Sequence, residues 1–212
     1  MSTTGERVRT RRPTRSEVRA TLLSAAARVF GRRGIDGASV DDVAAEAGYT
    51  KGAVYSNFGN KDGLVAALVE DRTAAYLSLG LTTAAGTEGS LSEIARALGD
   101  RLDDASEEER DWHLLFVELW QRAVREDPAA QGFQERRTAM CEAIADAVRH
   151  HATASGSELT IPAEHVAVAI MALANGMAME RLIAPHEAPD GLTGQVLAGL
   201  ADAFTRPAGP RA

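Results

Sequence analysis

A single cysteine, Cys141, is all the chain contains, so no intramolecular disulfide can form and no cysteine-based zinc cluster can be built. That fits a reducing cytosol, and Cys141 reads as buried filler rather than a redox sensor. No apolar run approaches the roughly 18 residues of a membrane span. The basic start, MSTTGERVRTRRPTR, is followed by no short apolar core with a small-residue cleavage site, so it does not read as a secretory leader. Metal-ligand spacing, a phosphate-cradling loop and a nucleophile elbow are all missing. The histidines are His113, His150, His151, His165 and His186, and the adjacent His150 and His151 read as surface residues near a helix end. No enzyme, no metal and no cofactor are expected. Segments that alternate apolar and polar residues with β-branched or aromatic enrichment are also missing, so no strand is expected. Aromatics are only 5% of the chain, and lysine is scarcer still: Lys51 and Lys61 stand against 21 arginines. Both lysines fall in one stretch, AEAGYTKGAVYSNFGNKDGL, which also holds Tyr55 and Phe58.

What is present is an alanine-rich, helix-favouring chain of 212 residues, long enough for one large domain or a small one fused to a medium one. Its 45% hydrophobic and 25% charged composition is that of a soluble globular protein. The net charge of −7 is uneven. Residues 1–61 carry 11 basic against 6 acidic side chains, whereas the remainder carries 12 against 24. A basic head on an acidic body suits contact between one end and a polyanion, or else a solvated face with a basic tail.

The punctuation divides the chain into helices. Residues 1–13 read as a flexible basic arm. Thr14 caps a first helix with Glu17 as its capping-box partner, and Val18, Leu22, Ala25, Val29 and Phe30 form the buried stripe. Gly34 ends it. Ser39 caps a short second helix that Gly48 stops, and Thr50 caps an equally short third helix ending by Gly59. A longer fourth helix over 60–82 connects to the rest. Further capping boxes are expected at Ser90/Glu93 and Ser106/Glu109, and Asp127-Pro128 opens another helix. Pro162 starts a long helix to about Ala184. After a proline-rich break, Leu192 to Phe204 form the last helix.

Two short helices joined by a glycine-containing turn are the helix-turn-helix pattern. Two turns of helix are too short to be stable alone, so they must pack on the first and fourth helices. In the third helix Val54 and Phe58 point to that core, leaving Thr50, Lys51, Ala53 and Tyr55 outward with Asn57 near the end. Gly52 has no side chain to hold the helix off a groove. The free N–H groups of a helix N-terminus suit phosphate.

Over residues of about 16–76 the chain resembles the DNA-binding head of the TetR family of bacterial repressors. The likeness rests on "AARVFGRRGIDGASVDDVAAEAGYTKGAVYSNFGNKDGLV", with Phe30, the Gly34/Gly37 turn, Ser39, Ala44, Ala47-Gly48, Lys51-Gly52, Val54-Tyr55, Phe58 and Lys61 in place. Asn57 departs from the pattern, standing where many members have histidine. The resemblance implies an all-α protein with a helix-turn-helix head (14–62), a helical effector-binding and dimerisation body (63–206) and a short tail (207–212). It implies that Ser39 caps the second helix and touches phosphate. Thr50, Lys51 and Ala53 would face base edges or phosphates, and Tyr55 and Lys61 would meet phosphate. For Ser39 and Thr50 the alternative is a cap alone, and for Lys61 a solvated charge. The implied partner is double-stranded DNA carrying two half-sites about 34–36 Å apart, or a multiple of that spacing, bound by a homodimer.

The last two helices are the candidate dimer surface, through Val166, Ile170, Leu173 and Met177 on one and Leu192, Val196, Leu200 and Phe204 on the other. Both stripes could instead be buried within the monomer. Trp112, Phe116 and Trp120, at i, i+4 and i+8 with His113 beside them, form either plain core or one wall of an effector pocket. Met140, Met171, Asn175 and Met179 would complete that mostly apolar pocket. Arg181 and Glu180 read as an ion pair or as polar pocket ends. The leading functional expectation is a cytoplasmic repressor released from a palindromic operator by a small, largely apolar effector. The alternative is a DNA-binding regulator or activator without small-molecule control.

Overall fold

The computed structural model describes residues 13–103, 107–125, 131–184 and 186–208. The basic arm up to residue 12, the end of the tail and the expected caps at Ser106 and Asp127-Pro128 lie outside those residues. Helices dominate: α1 (Arg15–Gly37), α2 (Val40–Ala47), α3 (Lys51–Phe58), α4 (Lys61–Gly86), α5 (Leu91–Leu102), α6 (Glu107–Val124) and α7 (Gln131–Ala154). After a strand β1 (Ser157–Leu159) come α8 (Ala163–Ile183), α9 (Leu192–Phe204) and a strand β2 (Thr205–Pro207).

The capping chemistry read from the sequence is made by the atoms. Thr14/Glu17 and Ser90/Glu93 form reciprocal boxes, and Ser39 does the same with Asp42. Asn60 caps α4, accepting the Gly63 N–H at 2.7 Å. Gly34 interrupts α1 with φ +72°, a conformation that L side chains rarely adopt, so the chain turns there toward α2. The fourth helix runs to Gly86 rather than to residue 82, because the Thr82–Ala85 stretch holds no breaker. β1 and β2 pair antiparallel, Ser157 opposite Pro207, which overturns the expectation of no strand. Three-residue strands are too short for alternation to register in the sequence.

The head is not packed as a separate body. One continuous core joins Leu22, Phe30, Val43, Val54, Leu64 and Leu68 to Trp112, Leu115 and Leu119 of α6 and to Phe133 of α7. Each such side chain, fully enclosed, contributes about 1.5–3 kcal/mol relative to exposure. α6 lies close against α1: a Cβ on Gly31 would sit 2.7 Å from the Asp111 carbonyl oxygen. α5 and α9 cross as closely, with a Cβ on Gly99 falling 2.4 Å from the Gly194 Cα.

α8 corrects the expectation about apolar runs. Its 21 residues, with a mean hydropathy of 1.5 in the most apolar window, are long and apolar enough to cross a membrane by length and composition. In the fold one side of it packs on α7 and around the body's interior, while Val168 and Ile183 stand exposed at 45% and 81%.

Candidate nucleic-acid interface and ligand cavity

α3 turns Val54 fully inward and packs Phe58 against the shared core, which fixes its other side outward. That side presents Lys51, Gly52 and Tyr55, the last 44% exposed. Ser56, which the sequence reading left out, is exposed as well. Thr50 accepts the Ala53 N–H at 3.3 Å, and the Ser39 hydroxyl donates to Asp42 Oδ2 at 2.6 Å while accepting the Asp42 N–H at 3.1 Å. Both hydroxyls therefore serve as caps and both residues are exposed. Ala53 and Lys61 are half-buried.

Asn57 is turned differently from expectation. Its side-chain amide nitrogen donates to the Ala53 carbonyl at 2.8 Å, and its backbone carbonyl accepts from Arg19 at 3.4 Å. Arg19 also lies 4.8 Å over the Phe58 ring. A cation from α1 thus closes the C-terminal end of α3, where a positive charge is favoured. The short helix takes Asn57 into its own end rather than leaving it on the outer face.

Part of the head's positive charge is matched on its own surface. Arg28 and Arg32 both reach Glu46 at 2.9 Å, and Arg33 reaches Asp42 at 2.6 Å. These pairs sit on the α1–α2 junction. On the α3 face Lys51 is held by Asp41 at 2.8 Å, and that carboxylate raises its pKa above the ordinary value. The Lys51 ammonium also lies 5.9 Å from the Tyr55 ring centre. Gly52 has room to spare: a Cβ there would meet only Thr50 Oγ1, at 3.7 Å. Nothing within the fold demands glycine at that position.

The body holds a partly open cavity of about 530 Å³ between α4, α5, α6, α7, α8 and α9. His113, Met140, Met171 and Asn175 line it, and Met179 does not. Trp112, Phe116 and Trp120 do not line it either. Their common face of α6 is turned to the shared core, with Trp112 only 5% exposed and Phe116 stacked edge-on to Phe133 at 5.5 Å. Trp120 lies at the outer end of that face under Arg137. His113, one residue on from Trp112, is rotated by about 100° and so faces the cavity.

The sequence reading missed Tyr76, Glu109, Arg101 and His151, all of which line the cavity. They come from four different helices, and no local spacing brings them together. Glu109 accepts from Arg72 at 2.9 Å and from the Tyr76 hydroxyl at 2.6 Å. Burial and that carboxylate push the Tyr76 phenol well above its ordinary value. His113 Nδ1 lies 2.6 Å from the Glu109 carbonyl oxygen, which can only accept, so Nδ1 carries the proton. Burial lowers the His113 pKa below its ordinary 6.5, so the ring is neutral with Nε2 as an acceptor. Arg181 pairs with buried Asp103 rather than with Glu180. Cys141 Sγ lies 3.2 Å from Met171 Sδ, half-buried beside the cavity.

The stripes assigned to a dimer surface divide. Val166, Ile170, Leu200 and Phe204 line the cavity, so those four face the monomer's interior. Their spacing marked an apolar helix face but not which of two apolar faces it was. Leu173, Met177, Leu192 and Val196 do not line it, and of these Val196 is exposed. Among the described residues no cluster of His, Cys, Asp or Glu could hold a metal ion.

Residues 22–68 match the family described as bacterial regulatory proteins, tetR family, and residues 91–205 match the C-terminal region of BetI-type transcriptional repressors. The regulator TtgR of Pseudomonas putida is 44% identical over 54 residues, 26% of either chain. That match therefore spans only about a quarter of the relative's length. The repressor Rv1474c of Mycobacterium tuberculosis is 26% identical over 147 residues, covering 69% of this chain and 72% of that protein. The crystal structure of a TetR-family regulator from a Rhodococcus species superposes with a TM-score of 0.71 at 26% identity, covering 89% of this chain and 98% of that one. With both halves matched, and a helix-turn-helix head packed on a helical body, the chain belongs to the TetR family of transcriptional regulators, a family of DNA-binding proteins rather than enzymes.

Proposed function

We propose that the protein is a ligand-responsive repressor that binds a palindromic operator as a homodimer and is released by a small, largely apolar effector in the body cavity. Thr50, Lys51, Gly52, Ala53 and Tyr55 meet the major groove and its phosphates, with Ser39 and Lys61 at the flanking backbone. Lys51 exchanges Asp41 for phosphate, releasing counterion. The partner copy covers the exposed apolar side of α8, where Val168, Ala172, Gly176 and Ile183 recur at helical spacing, together with Val196 and Gly199 of α9. DNA in a bacterial cell lies in the cytoplasm, and the protein works there.

The observation that carries this reading is that α6 touches both ends of the mechanism. Glu109 and His113 line the cavity. Farther along the same helix, Glu118 Oε2 accepts the Ile35 N–H at 2.8 Å, and Arg122 reaches Asp36 at 2.8 Å. Ile35 and Asp36 form the turn that leads into α2. α4 makes a second link, since Tyr76 faces the cavity while Lys61 begins the same helix beside α3. Its 26 residues span about 39 Å. An effector that shifts α6 and α4 changes the separation of the two heads, and reciprocal coupling of about 1–3 kcal/mol suffices for release. The test is a gel-shift titration on protein-bound genomic fragments, with sedimentation to fix the stoichiometry. A monomer that prefers no fragment over random duplex at physiological salt overturns the proposal.

A further inference from the structure

We infer that the effector is an amphiphilic anion, a carboxylate on an apolar body, with Arg101 binding the acid group; this rests on the cavity being the effector site. Among the described lining residues only Arg101 and Glu109 carry full charge. They are not equivalent. Glu109 is already compensated, with Arg72 and the Tyr76 hydroxyl on its two oxygens. It offers an incoming cation little net charge.

Arg101 has no such partner. Among the described residues no carboxylate lies within ion-pair distance of it, and its Nη1 donates to the neutral Thr83 hydroxyl at 2.9 Å. Thr83 is buried, and its own proton goes to the Leu79 carbonyl at 2.7 Å, so the lone pair that holds the guanidinium is fixed in direction. The remaining N–H groups of Arg101 stay available for a planar, bidentate acceptor. His151, from the last turn of α7, lines the same cavity and adds a second nitrogen donor or acceptor. The other walls are apolar, supplied by Leu98, Ile144, Val166, Ile170, Leu197 and Phe204.

A cationic effector fits these walls poorly. Quaternary ammonium groups are held by aromatic faces around the charge, and the aromatic rings on this lining besides the histidines are Tyr76 and Phe204, the first tied to Glu109. The charge that the described lining leaves without a protein counter-ion is positive, and Arg101 holds it at the solvent-exposed edge of the cavity.

The test compares three probes that share a ten-carbon chain: decanoate, decanol and decyltrimethylammonium, each below its micelle-forming concentration. Isothermal titration with the full-length protein should show decanoate binding about tenfold to a hundredfold tighter than decanol, with the ammonium compound weakest. In Arg101→Gln the advantage of decanoate over decanol should fall to within about twofold, and Arg101→Lys should restore part of it. If decanol binds and decanoate binds no better, the charge assignment is overturned while the cavity reading stands. Tightest binding of decyltrimethylammonium, or an undiminished carboxylate preference in Arg101→Gln, has the same consequence. If none of the three binds, the cavity reading fails first and this inference falls with it.

Discussion

Gly52→Ala separates folding from function by moving them in opposite directions. Gly52 is the second residue of α3, exposed, and a methyl group added to it contacts only Thr50 Oγ1 at an ordinary 3.7 Å. No left-handed conformation is required there. Alanine should therefore stabilise the protein by about 0.4–1 kcal/mol, because it restricts the unfolded chain and favours helix. For a chain of this size that is a rise in melting temperature of roughly 1–4 °C. If the outer face of α3 enters a DNA groove, the same methyl stands where base edges or sugars must come. A misfit costing about 1.4 kcal/mol weakens operator binding tenfold. The assays are thermal melting at fixed protomer concentration and fluorescence-anisotropy titration of operator DNA. A lower melting temperature would make the glycine structural. Unchanged operator affinity would show that this face does not meet DNA, and the interface would have to be sought elsewhere.

Asp41→Asn frees Lys51 from its 2.8 Å ion pair. Operator affinity should rise several-fold at low salt, and the slope of log K against log salt should steepen by up to about 0.9 if Lys51 gains a phosphate contact; an unchanged slope counts against that contact. Glu118→Ala removes the acceptor of the part-buried Ile35 N–H and should cost about 1–3 kcal/mol in urea denaturation. Glu118→Gln keeps an acceptor and should cost less than half as much; equal costs would mean that the hydrogen bond is not what matters. His113 gives a pH dependence whose sign is fixed by burial. Its pKa in the folded protein lies below the ordinary 6.5, so below that pH the unfolded chain takes up the proton first and stability falls with acidification. Above pH 6.5 the ring is neutral in both states and contributes nothing. His113→Gln should flatten the profile below pH 6.5, measured as urea midpoint against pH, and a slope identical to that of the parent protein would refute the assignment.

The helices and most of their ends were legible because capping is local. Thr14, Ser39, Thr50 and Ser90 each bond a backbone N–H three residues on, a relation that spacing alone reveals. The outer face of α3 was legible for the same reason: once Val54 and Phe58 point inward, helical geometry leaves Lys51 and Tyr55 outside.

The chain itself determined the helix-dominated architecture, the helix-turn-helix unit and the concentration of its two lysines in one segment. Only tertiary packing decided which apolar face meets which neighbour. Periodicity reports that a helix has a greasy side, but α6 and α8 each have more than one partner to offer it to. The Trp112–Trp120 face went to the shared core, while Val166 and Ile170 went to the cavity. Arg101, Glu109 and Tyr76 came together from three helices across the chain, and no sequence interval encodes such a meeting. It follows from how α4, α5 and α6 cross, which close contacts such as Gly31 against Asp111 and Gly99 against Gly194 help to set.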